Sequence, residues 1–347
     1  MTLPTTQSAV FLLAFLAMLC WGAWANTQKA AGRWRFEIYA CDFAAGALAC
    51  AVIAGFTVGT YGSEITFFDN IIIVYKRQLA YALMGGAVYA LGGMLLMAAI
   101  SMAGLALVGA AAASLSLAVG MGFVMWLWPA EASSLLPLAI GAACCATLAA
   151  AAAHRLRLRT FRQEYKDPKT LELKRRIIKR RGSWKPLIMG LAGGIIMGAF
   201  LPLAEKARQL HIEMGPYPIA FCVAAGMFAG TLFYSLFFIN LPVEGEPLGL
   251  MSYLKGPWKN RLLGFLGGGI WGVGVLAALL AIGAPAELRI PPYSSYAVAQ
   301  GGGVVALLCG ALLWKELAES SAPVKAMASM SGALLAAAVW LAATKAP

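Results

Sequence analysis

Charged residues along this chain are spaced so that long stretches lack them altogether. Residues 1–28 and 43–63 carry none, and further uncharged runs cover 78–130, 132–153, 186–204, 214–243, 262–286, 290–314 and 326–344. A helix crossing a bilayer needs about 20 nearly uncharged residues. The run 78–130 has room for two such helices, parted near Ser101–Gly104. The pattern therefore predicts ten spans, near 8–27, 41–62, 79–100, 104–128, 133–153, 186–204, 216–240, 261–283, 293–314 and 323–343. Ala23-Trp24-Ala25 imitates a signal-peptidase site, but residues 1–28 have no basic n-region, so the segment is read as the first span.

Composition agrees with this reading. Of the 347 residues, 61% are hydrophobic and 12% charged, against about 25% charged in a soluble domain. Mean hydropathy is +0.76. These values exclude a disordered chain, a small secreted scaffold and a water-soluble enzyme. The expected fold class is an all-α polytopic membrane protein. All seven cysteines fall in or beside predicted spans, where cysteine acts as a small apolar filler, and no spacing suggests zinc or a disulfide framework. With two distant histidines and no nucleophile motif, the sequence predicts no metal, no cofactor and no enzyme.

Lys and Arg give the orientation. Thirteen of the 27 basic residues lie between His154 and Lys185. Placing that loop in the cytoplasm puts 21 basic residues inside and 6 outside, with both termini external. The chain then divides into a five-span segment (1–153), a basic cytoplasmic loop (154–185) and a second five-span segment (186–347) in a cell membrane. The loop has three aromatics (Phe161, Tyr165, Trp184) and one glycine (Gly182), so neither nucleic acid nor ATP is an expected partner. Its expected partner is an anionic leaflet, met by a short amphipathic helix over Lys174–Lys185.

The two five-span segments repeat one another weakly. Leu83–Gly92 reads against Phe265–Gly274 at offset 182, Ala44-Ala45-Gly46 against Ala224-Ala225-Gly226 at offset 180, and Gly22-Ala23-Trp24 against Gly198-Ala199-Phe200 at offset 176. Five is odd, so the second copy enters from the opposite side and the repeats are inverted. Inverted repeats predict alternating access around a midplane site, hence secondary transport by a monomer or homodimer. Gly301-Gly302-Gly303 predicts a bend in span 9, because consecutive glycines weaken a helix.

At Cys20-Trp21-Gly22-Ala23-Trp24, Gly32-Arg33 and Tyr39-Ala40-Cys41-Asp42-Phe43 the sequence resembles the ureide permeases, within the drug/metabolite transporter superfamily. Gly104-Leu105, Ala297-Val298-Ala299-Gln300 and Lys315-Glu316 are also similar to family patterns, the last with lysine in a glycine position. Gly22-Ala23-Trp24-Ala25 departs from the family's first-span stretch by losing its proline. The resemblance implies import of ureides or nucleobase-like heterocycles with protons. Other branches of the superfamily carry sugars or export drugs and metabolites, and both remain alternatives.

Candidate site residues follow. Asp42 is the proton-coupling candidate, since intramembrane acids are functional by default. Its alternative is helix capping, or pairing with Lys29, Arg33 or Arg35. Trp21 and Trp24 share a helix face, with Asn26 just beyond; indoles stack on planar rings, while an amide reads donors and acceptors. Tyr89 and Trp271 occupy matching places in the repeats and are expected to face one cavity. Gln300 is a mid-span amide that needs a partner, either solute or neighbouring helix. Tyr293 and Tyr296 form a possible gate. The expected solute is small, polar and planar, gripped by Trp21, Trp24, Asn26, Tyr89, Trp271 and Gln300, with the proton gradient in place of a cofactor. Glu205 reads as an interfacial pair with Lys206, and Glu316 as the end of its own helix.

The orientation predicts that alkaline phosphatase fused after Pro347 is active, because that enzyme folds only outside the cytoplasm, whereas a fusion within 165–182 is inactive. The opposite pattern would reverse the topology.

Overall fold

A computed structural model describes residues 2–32, 34–61, 65–129, 132–164, 183–210, 212–243, 246–247, 256–288 and 290–344, with backbone alone at 161–164. Ten helices are long and apolar enough to cross a membrane. Spans 1–5 are Gln7–Ala30, Phe36–Phe56, Lys76–Ala103, Ala106–Leu127 and Leu136–Thr160; spans 6–10 are Lys185–Gln209, Pro216–Asn240, Trp258–Ile282, Pro292–Leu313 and Ala322–Ala343. No strand occurs among the described residues. The double run splits where expected, at Gly104, whose φ of 94° suits glycine and ends span 3.

Several boundaries differ from expectation: span 2 lies at Phe36–Phe56 instead of 41–62, and span 6 runs on to Gln209 instead of 204. The helix of span 5 continues to Glu164, past the expected end at 153. Charge limits the apolar length but not the helix, since Arg and Leu are both good helix formers. A short helix, Phe67–Ile73, also sits between spans 2 and 3, started by a Thr66–Asp69 capping box. Most of the expected amphipathic helix over 174–185 lies outside the described residues.

Three spans are interrupted. Span 1 breaks at Trp24, where the Asn26 carboxamide donates to the Ala23 carbonyl and the Thr27 hydroxyl to the Trp24 carbonyl. Span 6 breaks at Ala199, because Pro202 has no N–H for the carbonyl four residues earlier. Span 9 breaks at Gly301, within the predicted triple glycine, and closes in a π-helical turn, Cys309–Leu313. The breaks in spans 1 and 6 fall at places related by the repeat. Such freed backbone groups are satisfied by neighbouring side chains and helices inside a membrane.

The repeat is legible in the packing. A Cβ on Gly46 would stand 1.9 Å from the Phe265 carbonyl oxygen, and one on Gly226 would stand 2.0 Å from that of Leu83. A Cβ on Gly86 would meet the Val223 oxygen at 1.9 Å, and one on Gly268 the Phe43 oxygen at 1.8 Å. Each pair is one contact seen twice, at offsets 180 and 182. Spans 2 and 8, and spans 3 and 7, thus cross on backbone in the same way. Spans 5 and 10 pack together, with the Ser331 hydroxyl donating to the Ala146 carbonyl at 2.8 Å. The two five-span repeats therefore meet about a pseudo-twofold axis between spans 2, 3, 7 and 8.

Gly46→Ala and Gly226→Ala should each cost about 1–3 kcal/mol, the usual range for overpacking, and lower the melting temperature in detergent. Gly269→Ala is the control, because nothing lies within 4 Å of its added Cβ. Equal melting of all three would contradict the crossing geometry.

Candidate functional site

The interrupted helices surround a cavity of about 440 Å³, open mouth included, bounded by spans 1, 3, 4, 6 and 9. Trp21, Trp24, Tyr89 and Gln300 line it together with Met197 and Gly302. No lining side chain is charged. A second, narrow hollow lies beyond Tyr89, walled by Trp24, Phe43, Met197 and Trp271. Tyr89 and Trp24 border both.

Tyr89 and Trp271 meet as their matching positions predicted. The Trp271 indole N–H donates to the Tyr89 hydroxyl oxygen at 2.8 Å, and the ring centroids are 4.8 Å apart. Phe200 packs edge-on against Tyr89 at 5.5 Å from span 6. The Trp21 ring lies 6.1 Å from Tyr89 and 6.3 Å from Tyr296. Its indole N–H is buried without an acceptor among the described residues. Trp24 packs against Phe43 at 5.0 Å.

Gln300 is buried, and its carboxamide Nε2 donates to the Ser116 hydroxyl oxygen of span 4 at 3.2 Å. Tyr296, one turn earlier, shares a 2.7 Å contact with the same hydroxyl and donates to the Ser116 carbonyl at 3.2 Å. Gly120 makes room for the phenol, since a Cβ there would lie 2.6 Å from the Tyr296 ring. Ser116 was not among the sequence candidates. The signal that could have found it was the pair of hydroxyls, Ser114 and Ser116, in the middle of an otherwise apolar span. Tyr293 stands apart from Tyr296, in a separate small hollow with Trp128, Glu205 and Pro292.

Asn26 and Asp42, like Tyr293 and Tyr296, are not among the residues lining the two adjoining hollows. Asn26 faces away from the cavity, bound to the Ala23 carbonyl and accepting from the Trp314 indole N–H at 2.8 Å. The local turn that breaks span 1 uses up its amide. Asp42 is buried but lines neither hollow; its carboxylate faces Arg261 of span 8 at 3.8 Å, and Arg33, one of its expected partners, lies outside the described residues. A Cβ on Gly264 would be 2.7 Å from the Asp42 Cβ, so glycine lets the carboxylate approach span 8.

The carboxylates outside Asp42 carry the largest corrections. Glu37, in the first turn of span 2, is fully buried and bound by Arg35 through Nε at 3.2 Å and Nη2 at 2.6 Å. The Arg-x-Glu spacing at a helix start was the available signal. Glu205 pairs with Arg208 instead of Lys206. Glu316 caps a different helix from its own: its carboxylate accepts from the Leu105 and Ala106 N–H groups at 2.9 and 2.8 Å, at the N-terminus of span 4. It also pairs with Lys29 at 2.6 Å. A helix N-terminus favours a carboxylate through both its dipole and its unpaired N–H groups. Lys315, just before Glu316, holds a left-handed backbone with φ at 51°. Because Leu105 also lines the cavity, this latch of spans 1, 4 and 9 lies beside it, toward the end of the bundle that bears the basic loop. Tyr296 and Ser116 sit above Gln300 toward the end that bears the termini.

Among the described residues no group of three His, Cys, Asp or Glu is placed to hold a metal. No family model matches the chain, and no curated protein does. One solved structure, described only as "Crystal structure of protein", aligns over 97% of each chain with a TM-score of 0.55 and 16% identity. That likeness shows a shared fold.

Glu316→Gln should destabilise the protein by about 1–3 kcal/mol, the range for losing hydrogen bonds to a charged group. A double-mutant cycle with Lys29→Met in detergent melts should give a coupling of about 0.5–3 kcal/mol. Additive effects would contradict the latch.

Proposed function

We propose that the chain is a secondary transporter that moves a small, planar, uncharged polar solute by alternating access. The observation that carries this reading is the uncharged aromatic cavity with one buried amide, set between two related five-span repeats. Two features add support. The interruptions in spans 1 and 6 recur at related positions, as in transporters built from broken helices. A small set of polar contacts also lies toward each end of the bundle, Tyr296 with Ser116 on one side and Glu316 with Lys29 on the other. Polar latches of a few bonds can open and re-form in a cycle, whereas a fully packed apolar seam resists it.

The solute class rests on the cavity and on the sequence resemblance together. Trp21, Trp24 and Tyr89 suit a flat ring, and Gln300 suits its polar edge. The ureide permease-like pattern points to ureides and nucleobase-like heterocycles taken up into the cell. The left-handed backbone of Lys315 is compatible with the resemblance, since the family pattern it resembles has glycine at that place. Asp42 is the proposed proton site. Protonation would remove its attraction to Arg261 and loosen span 2 from span 8, the pair that crosses beside Trp271. No covalent step is needed. The cell membrane, with both termini outside, is the proposed setting.

In proteoliposomes with an imposed proton gradient, an oxo-heterocycle such as uracil or allantoin should accumulate, and Trp21→Ala should cut uptake about tenfold or more, given stacking worth about 1–3 kcal/mol. Asp42→Asn should abolish gradient-driven accumulation but keep solute exchange. Uptake of a hexose or a cationic dye alone would overturn the solute class, and unchanged accumulation by Asp42→Asn would overturn the coupling role.

A further inference from the structure

We propose that Ser116 is a specificity-determining positioning residue: it turns the Gln300 carboxamide so that the cavity presents a hydrogen-bond acceptor, and the solute must offer an N–H donor there. The inference rests on the transport reading above and goes beyond it, because it assigns the sense of the contact and the residue that sets it.

The argument is a count of protons. The Tyr296 hydroxyl has a single proton, which it donates to the Ser116 backbone carbonyl at 3.2 Å. Either oxygen could donate in the 2.7 Å contact between the two hydroxyls, and with the Tyr296 proton on the carbonyl this contact is assigned the Ser116 proton. Ser116 Oγ is left with lone pairs, and it accepts from Gln300 Nε2 at 3.2 Å. A hydroxyl already committed as a donor can receive only the NH₂ side of an amide. The carboxamide oxygen therefore points away from Ser116 and accepts no hydrogen bond among the described residues. Gln300 lines the cavity, so this oxygen is the acceptor offered to the solute.

The opposite wall is set in the complementary sense. An indole has an N–H and no acceptor, so the Tyr89 oxygen must accept from Trp271. The Tyr89 proton is left for the cavity, which Tyr89 also lines. An uncharged ring with an N–H beside a C=O meets both walls. Replacing N–H by N–CH₃ would leave the Gln300 oxygen buried and unpaired. A carboxylate or phosphate would face that oxygen with no cation on the lining. Sites built around a specific hydrogen bond reject analogues lacking it more strongly than apolar pockets reject a size change.

The test compares uracil with 1,3-dimethyluracil, which keeps both carbonyls and loses both donors, in initial-rate uptake by proteoliposomes. Wild type should favour uracil by about tenfold or more, the worth of one such bond. Ser116→Ala should bring the two rates close together, while Ser116→Thr, which keeps the hydroxyl, should hold the wild-type ratio. Gln300→Leu, the second variant should Ser116→Ala fail to fold, should also erase the preference. A folded Ser116→Ala protein with the wild-type ratio would overturn the inference alone, as would a wild-type preference for dimethyluracil. Uptake of neither compound by wild type would overturn the heterocycle reading and this inference together.

Discussion

Backbone contact at four glycines is the constraint on which the rest of the structure depends. Inside a bilayer, lipid is as apolar as leucine, so helices associate through close packing and hydrogen bonds instead of hydrophobic burial. Gly46, Gly86, Gly226 and Gly268 let carbonyl oxygens of the facing spans come within 1.8–2.0 Å of where a Cβ would stand. That approach leaves little freedom in how spans 2 and 8, or 3 and 7, can cross. Once they cross, Tyr89 and Trp271 are brought together with their rings tilted by 41°, and the Trp271 N–H donates to the Tyr89 hydroxyl. The aromatic wall follows from the glycines.

The same symmetry fails at the two ends, and the failure is informative. Gly22 would meet Gly302 and Val305, as Gly198 would meet Ser116 and Val119. Continuing those correspondences sets Lys29 against Glu205 and Trp314 against Trp128. At the end that bears the basic loop, Lys29 reaches across to Glu316 and lies 5.5 Å over the Trp314 ring. At the other end Glu205 turns to Arg208 on its own helix, and Trp128 borders an unfilled hollow. Two related scaffolds thus carry different latches, so the bundle has one firmly tied end and one looser end.

Buried polar groups complete the picture by accounting for nearly every donor. Ser116, Tyr296 and Gln300 satisfy one another, and the Glu316 carboxylate takes up two N–H groups that span 4 cannot satisfy within its own helix. The Trp21 N–H, buried without an acceptor among the described residues, is an exception that falls at the cavity, which Gln300 also lines. An unsatisfied polar group in a low-dielectric setting costs free energy, and a solute able to bond there would recover part of it.

The amino-acid sequence alone set the ten spans and the break near Gly104 through local apolar length, and its internal repeat matched Tyr89 with Trp271 as residues of one cavity. It also marked Gln300 as an amide in need of a partner. What it could not determine is where side chains go once helices pack. Asn26 is spent on the turn that breaks span 1, Asp42 meets Arg261 from span 8, and Glu316 caps a helix some two hundred residues earlier in the chain. Each of these depends on which helices become neighbours and on how far each is rotated about its axis. Helical period leaves that rotation open in a span that is apolar on every side. Only the glycine crossings settle it, so the tertiary structure decided which polar residues line the cavity and which tie the helices together.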